Sequence, residues 1–185
     1  CFGRYYASLL DREGSDFGHL GTNWLGTYDW KVEMTPTTET IIDNRGERLV
    51  FGIVGGGWVQ LDHFEEHNTL VVRAFDNMHR LHRGRQRRTY EFDGTTGLLQ
   101  KILDEHGNSL MCQYTGGLLS GVTDGLGRSM LFTHDPLGRL VSVTDGTRTV
   151  SYGYGGNNLA SYTDPEGHTT TYSYAMGPIP GLLVS

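Results

Sequence analysis

From residue 98 onward, apolar and polar positions alternate in short runs, and the runs recur. Leu99-Gln-Lys-Ile102-Leu-Asp104-Glu-His-Gly107, Leu119-Ser-Gly-Val122-Thr-Asp124-Gly-Leu-Gly127 and Leu159-Ala-Ser-Tyr162-Thr-Asp164-Pro-Glu-Gly167 share one pattern: leucine, two residues, an apolar or aromatic residue, one residue, Asp, two residues, Gly. Leu140-Val-Ser-Val143-Thr-Asp145-Gly146-Thr147 is a fourth copy with a shortened turn. The aspartates recur at steps of 20, 21 and 19 residues. Tyr114, His134 and Tyr174 stand seven residues after a turn glycine, with Cys112, Phe132 and Tyr172 two positions earlier. Tyr152 and Tyr154 are the matching pair of the shortened copy. Val150, Tyr152 and Tyr154 alternate with Ser151 and Gly153, and Tyr172, Tyr174 and Met176 continue the same way. Period two predicts a strand with one buried face.

Turn chemistry bounds these strands. Asp164-Pro-Glu-Gly167 suits a type I turn. His134-Asp-Pro-Leu-Gly138 and Gly155-Gly-Asn-Asn158 punctuate the opposite ends. An aspartate at the first position can accept from turn amides, and glycine takes φ > 0 without steric cost. Each unit of about 20 residues is therefore a pair of strands. A lone hairpin is marginal in water, so the predicted fold is all-β: consecutive antiparallel hairpins stacked into a curved, twisted repeat sheet. Both ends of such a sheet are open edges, and the array reads as a segment of something larger.

Upstream the pattern is less regular. Thr40–Phe51 reads as strand, turn and strand, with Asp43 and Gly46 echoing the turn. Leu70–Phe75 and Arg88–Phe92 are further strands, and Asp93-Gly-Thr-Thr-Gly97 is a hairpin loop. Gly52–Trp58 is a glycine-rich loop without the Gly-Lys-Ser/Thr ending or following helix of a phosphate cradle. Residues 2–34 are aromatic-rich and read as strand, loop, strand, with turns at Glu13–Asp16 and Leu25-Gly26. The resulting organisation is an aromatic-rich segment at 1–38, irregular hairpins at 39–97, the repeats at 98–176, and a tail or interrupted repeat at 177–185.

Composition sharpens this reading. The chain has 185 residues and 27 glycines, about twice the usual share of roughly 7%, but only 5 prolines, so the glycine is not that of a disordered tract. Ten tyrosines, seven phenylalanines and three tryptophans can build a core. Lys31 and Lys101 are the sole lysines against 13 arginines, a poor supply for long amphipathic helices. The formal charge of −6 argues against nucleic acid as a partner. Cys1 and Cys112 are too few for a disulfide framework, though one bridge between them is conceivable. No stretch is apolar enough for a membrane span, and no signal peptide is visible. The sequence begins with Cys and reads as a fragment of a longer polypeptide.

Candidate chemistry is sparse. His63-Phe-Glu-Glu66-His67 matches an inverted zinc-protease motif. That chemistry needs a helix; on a strand, positions 63 and 67 stand about 13 Å apart. The β context favours an exposed segment without metal. Five arginines within Arg80–Arg88 could hold an anionic polymer, or could meet acids such as Glu65, Glu66, Asp76 and Glu91; the second reading is preferred. Cys112 falls at a buried strand position and reads as structural. One Asp per unit is too few for calcium, and turn capping explains Asp104, Asp124, Asp145 and Asp164. Sugar stacking on the paired tyrosines is outweighed by a role in the core. No catalytic site, cofactor or metal site is expected.

The stretch Thr133-His-Asp135-Pro-Leu-Gly138-Arg-Leu140-Val-Ser-Val143-Thr-Asp145-Gly146 resembles the YD repeat of Rhs-family proteins, with His134 in place of the name-giving Tyr. Tyr154-Gly-Gly-Asn-Asn-Leu159-Ala-Ser-Tyr162-Thr-Asp164-Pro-Glu-Gly167 resembles it with Gly155 in place of the Asp. Gly3–Tyr6 through Trp24 to Tyr28-Asp-Trp30 looks like the domain that precedes Rhs repeats. The resemblance implies a non-catalytic segment of a β-shell that encloses a C-terminal toxin, as in bacterial polymorphic toxins, delivered often by type VI secretion. It implies as partners the remainder of the same shell, the toxin cargo, and a secretion-system spike or chaperone. It also implies a bacterial protein made in the cytoplasm and then secreted or delivered. The structural positions it singles out are Asp104, Gly107, Tyr114, Asp124, Gly127, Gly138, Asp145, Tyr154, Asp164, Gly167 and Tyr174. The family's autoproteolytic motif and a variable toxin domain are not found in this sequence. A stand-alone YD-repeat module binding glycan or a cell-surface partner is the alternative, with a zinc hydrolase at His63, Glu66 and His67 more remote.

Overall fold

The computed structural model describes residues 2–8, 10, 17–62, 68–73, 75–175 and 182–184. The turn expected at Glu13–Asp16, the His63/Glu66/His67 motif, Cys1, Met176 and most of 177–185 lie outside the described residues.

Among the described residues there are seventeen strands and no helix. They are β1 (Arg4–Tyr6), β2 (Trp24–Gly26), β3 (Lys31–Met34), β4 (Thr38–Ile42), β5 (Arg48–Val54), β6 (Gly57–Gln60), β7 (Asn68–Arg73), β8 (Met78–Arg83) and β9 (Arg88–Asp93), followed by β10 (Leu99–Asp104), β11 (Ser109–Thr115), β12 (Leu118–Asp124), β13 (Ser129–His134), β14 (Leu140–Thr144), β15 (Thr149–Gly155), β16 (Asn158–Thr163) and β17 (Thr169–Thr171). β1 pairs with β2, and β3 to β6 form a four-stranded sheet. β7 to β17 form one eleven-stranded sheet in which each strand neighbours the next in sequence. Every pairing is antiparallel. The sheet is open and does not close into a barrel. The repeat sheet thus begins at Asn68, ahead of the first recognisable repeat, because β7, β8 and β9 pair continuously into β10.

One core runs through the molecule. The leucine that opens each repeat is buried at every copy: Leu99, Leu119, Leu140 and Leu159. Beside this row lie Cys112, Phe132 and Tyr152, then Val122 and Val143. Each such side chain contributes roughly 1.5–3 kcal/mol by leaving water. The other side of the core comes from Leu20, Trp24, Tyr28 and Trp30, and from Ile41, Leu49 and Phe51 of the four-stranded sheet. The described residues of 2–34 therefore do more than lead into the repeats. They lie across the inner face of the sheet and bury it.

The glycine-rich loop is a hairpin corner. Gly55 and Gly56 both have positive φ, 61° and 85°, and they join β5 to β6 with Val54 opposite Gly57. A two-residue turn of that hand matches strand twist and strongly favours glycine.

Candidate functional site

The repeat has three working parts. The first is the Asp turn. In Asp104, Asp124, Asp135 and Asp164, one carboxylate oxygen accepts from the backbone N–H two and four residues on, at 2.8–3.0 Å. The other oxygen takes the side chain at the fourth position: Asn108, Arg128, Arg139 or His168. The glycine three residues after the Asp, Gly107, Gly127, Gly138 or Gly167, has φ of 81–90°, a backbone where a Cβ would be strained. Asp145 keeps the logic in its shortened turn, accepting from Thr147 and Arg148. Such donors favour the ionised form. Asp145 is held down to about 2 mainly by the Arg148 and Thr147 amides. Asp104 and Asp124 are also lowered, chiefly by Asn108 and by the Arg128 amide.

The second part is a bulge. Gln113 pairs with Gly121 but Tyr114 with Leu119, leaving Ser120 extra. Val141 and Ala160 are extra in the same way after Leu140 and Leu159, and Gln100 after Leu99. One added residue per unit, always just after the leucine, bends and twists the strand.

The third part is a tyrosine row. Tyr114 Oη donates to the Leu99 carbonyl at 2.8 Å, Tyr154 Oη to Leu140 at 2.5 Å and Tyr174 Oη to Leu159 at 2.6 Å. Each hydroxyl serves the carbonyl beside the bulge of the preceding strand. Burial pushes the Tyr114, Tyr154 and Tyr174 hydroxyls up, so they stay protonated donors. His134 occupies the second place in this row, between Tyr114 and Tyr154, where it has no hydroxyl to offer; its ring meets His19 edge-on at 5.5 Å.

The N-terminal segment docks on the bulge side of the sheet. The Leu140 amide donates to the His19 carbonyl at 2.7 Å, and the Thr22 amide to Asn157 at 3.0 Å. Gly21 stacks so closely that a Cβ would stand 2.6 Å from the Asn157 carbonyl oxygen. Trp24 Nε1 donates to Tyr174 Oη at 2.9 Å. The Arg4 guanidinium lies 3.7 Å over the Tyr162 ring and donates to Tyr172 Oη. The Leu183 amide donates to Tyr6 Oη at 2.8 Å. These contacts span 119 to 177 residues of chain.

Tyr174 bridges to Leu183. That is the register of Tyr114 with Leu119, His134 with Leu140 and Tyr154 with Leu159. Leu182-Leu-Val-Ser185 also matches Arg139-Leu-Val-Ser142 in sequence from the leucine onward. Residues 182–184 thus stand where a further repeat would begin.

Two arginines of the cluster, Arg80 and Arg83, are held inside the fold, while Arg85, Arg87 and Arg88 are exposed. Arg80 pairs with Asp76 and Glu91. Arg83, 5% exposed, is held by Asp43 and Glu47 at 2.9 Å; it fills the place at the Asp43 turn that the fourth-position side chain fills elsewhere, because Glu47 there cannot donate. Arg87 reaches Glu105 at 3.2 Å. Glu65 and Glu66 lie outside the described residues. A buried Glu39–His79 pair at 2.8 Å joins β4 to β8. Cys112 is a free, buried thiol pushed up to about 12 by burial. Among the described residues no group of three His, Cys, Asp or Glu stands close enough to hold a metal ion, and no helix is long and apolar enough to cross a membrane.

The recurring turn, bulge and tyrosine define an all-β hairpin-repeat protein. The family model described as RHS Repeat matches residues 115–150, from the end of β11 into β15, and identifies that stretch as an RHS repeat. No curated protein matches it.

Proposed function

We propose that the chain is a non-catalytic wall segment of an Rhs-type β-shell, which encloses a toxin or effector domain for delivery to a target cell. The observation that carries this reading is the Tyr174–Leu183 bridge: it leaves the sheet open at an edge already in register for another repeat. A finished domain covers or blunts such an edge. The structural use of Asp, Arg and Tyr side chains fits a wall better than a catalyst, since most are spent on turns and strand spacing. The partners on this reading are the rest of the shell and its cargo, in a bacterial protein that is exported or injected.

The test is electron microscopy of the full polypeptide encoded by the reading frame, with protease protection of its C-terminal domain. A hollow particle with a protected C-terminal domain is expected. A solid particle, or a C-terminal domain digested as readily as free protein, would contradict the proposal.

A further inference from the structure

Of the tyrosine-row positions, one is a histidine, and the segment docked over it places a second histidine against it. His19 is doubly clamped to the sheet: its carbonyl accepts from the Leu140 amide at 2.7 Å, while Nδ1 lies 3.1 Å from the Gly138 carbonyl. A carbonyl only accepts, so His19 Nδ1 carries the hydrogen in this contact. The His134 ring meets the His19 ring at 5.5 Å, nearly perpendicular.

We propose that the His19–His134 contact is an acid-sensitive clasp, closed while the His134 ring is neutral and loosened when that ring takes up a proton against the docked His19. The groups around it are Asp29 beside β3, Lys31 on β3, Tyr114 on β11, Asp135 and Arg139 at the β13–β14 turn, and Tyr154 on β15. A cavity of about 150 Å³ is lined in part by His19, Asp29, Lys31 and Tyr114. Asp29 is buried, accepts from the Gly26 amide at 2.7 Å and interacts with His19. Asp135 pairs with Arg139 at 2.6 Å, which weakens its pull on His134.

Burial, with the nearby His19 charge, lowers the His134 pKa below the ordinary histidine value, against a weaker opposite pull from Asp135. The unfolded chain therefore binds a proton that the docked state resists. The stability tied to His134 is complete above about pH 6.5 and is lost as pH falls through the lowered value. Asp29 is raised by burial, so its protonation favours the folded state and acts against the effect of His134.

The test is amide hydrogen exchange on the 185-residue chain at pH 7.5 and 5.5, corrected for intrinsic rates. The Leu140 amide, bonded to His19, should lose protection several-fold at pH 5.5, while the Val122 amide, far from the clasp, should not. His134→Tyr restores the row's hydroxyl toward Leu119 and should abolish the loss. His19→Gln keeps a donor toward Gly138 and removes the second-largest influence on His134, so it should reduce the loss, which guards against one variant failing to fold. Unchanged Leu140 protection in the parent chain would overturn the proposal. So would an equal loss at Leu140 and Val122, or an equal loss in both variants.

Discussion

At the scale of single residues, the turn aspartates do the recurring work. Each gathers two amides and usually a side chain, so folding favours the carboxylate. Asp145, held near 2 against an ordinary value of about 3.9, binds fewer protons folded than unfolded. Its contribution is complete above about pH 4 and is lost as pH falls toward 2. Asp145→Asn keeps one acceptor oxygen but cannot ionise, so melting temperature against pH should fall less steeply between 4 and 2 than in the parent. The tyrosine row works by hydroxyl geometry instead. Tyr174→Phe removes a donor to Leu159 and an acceptor for Trp24. It should cost about 1–3 kcal/mol in denaturant unfolding, with the leucine row left intact. The Asp and Gly positions were legible in the sequence because their bonds reach no further than four residues. The second oxygen of Asp43 was not, since its donor is Arg83, 40 residues away.

At the scale of elements, the strand pairs of the repeats follow from period two and turn spacing, whereas β6 (Gly57–Gln60) and β8 (Met78–Arg83) were not read from the sequence. The bulge was hidden in plain view. The leucine-to-Asp spacing is five in every copy, and an extra residue present in each of them leaves no irregularity to notice. The docked N-terminal segment was visible as aromatic-rich but not as docked. Contacts made across most of the chain leave no local pattern. Its fit to the sheet is tightest at Gly21, where φ is 89° and a Cβ would meet backbone on the β15–β16 turn. Gly21→Ala should cost about 2–4 kcal/mol. It should also shift the emission of Trp24 toward the red as that ring loses its packing against Tyr6 and Tyr172. An unshifted emission with native stability would show that the segment does not lie on the sheet in this way.

For the whole molecule, the open eleven-stranded sheet and its filled inner face make one body whose last described residues already take up the register of another unit. Repeat stability is close to a sum of units and their interfaces, so a correctly registered addition should stabilise everything before it. The direct measurement is to extend the chain after Ser185 with a copy of Val143–Gly155. Leu183-Val-Ser185 matches Leu140-Val-Ser142, so the extension completes a repeat. The melting temperature should rise by roughly 2–4 °C for each kcal/mol of new interface, with the added amides protected from exchange. An unchanged or lower melting temperature with unprotected added amides would contradict a continuing repeat wall.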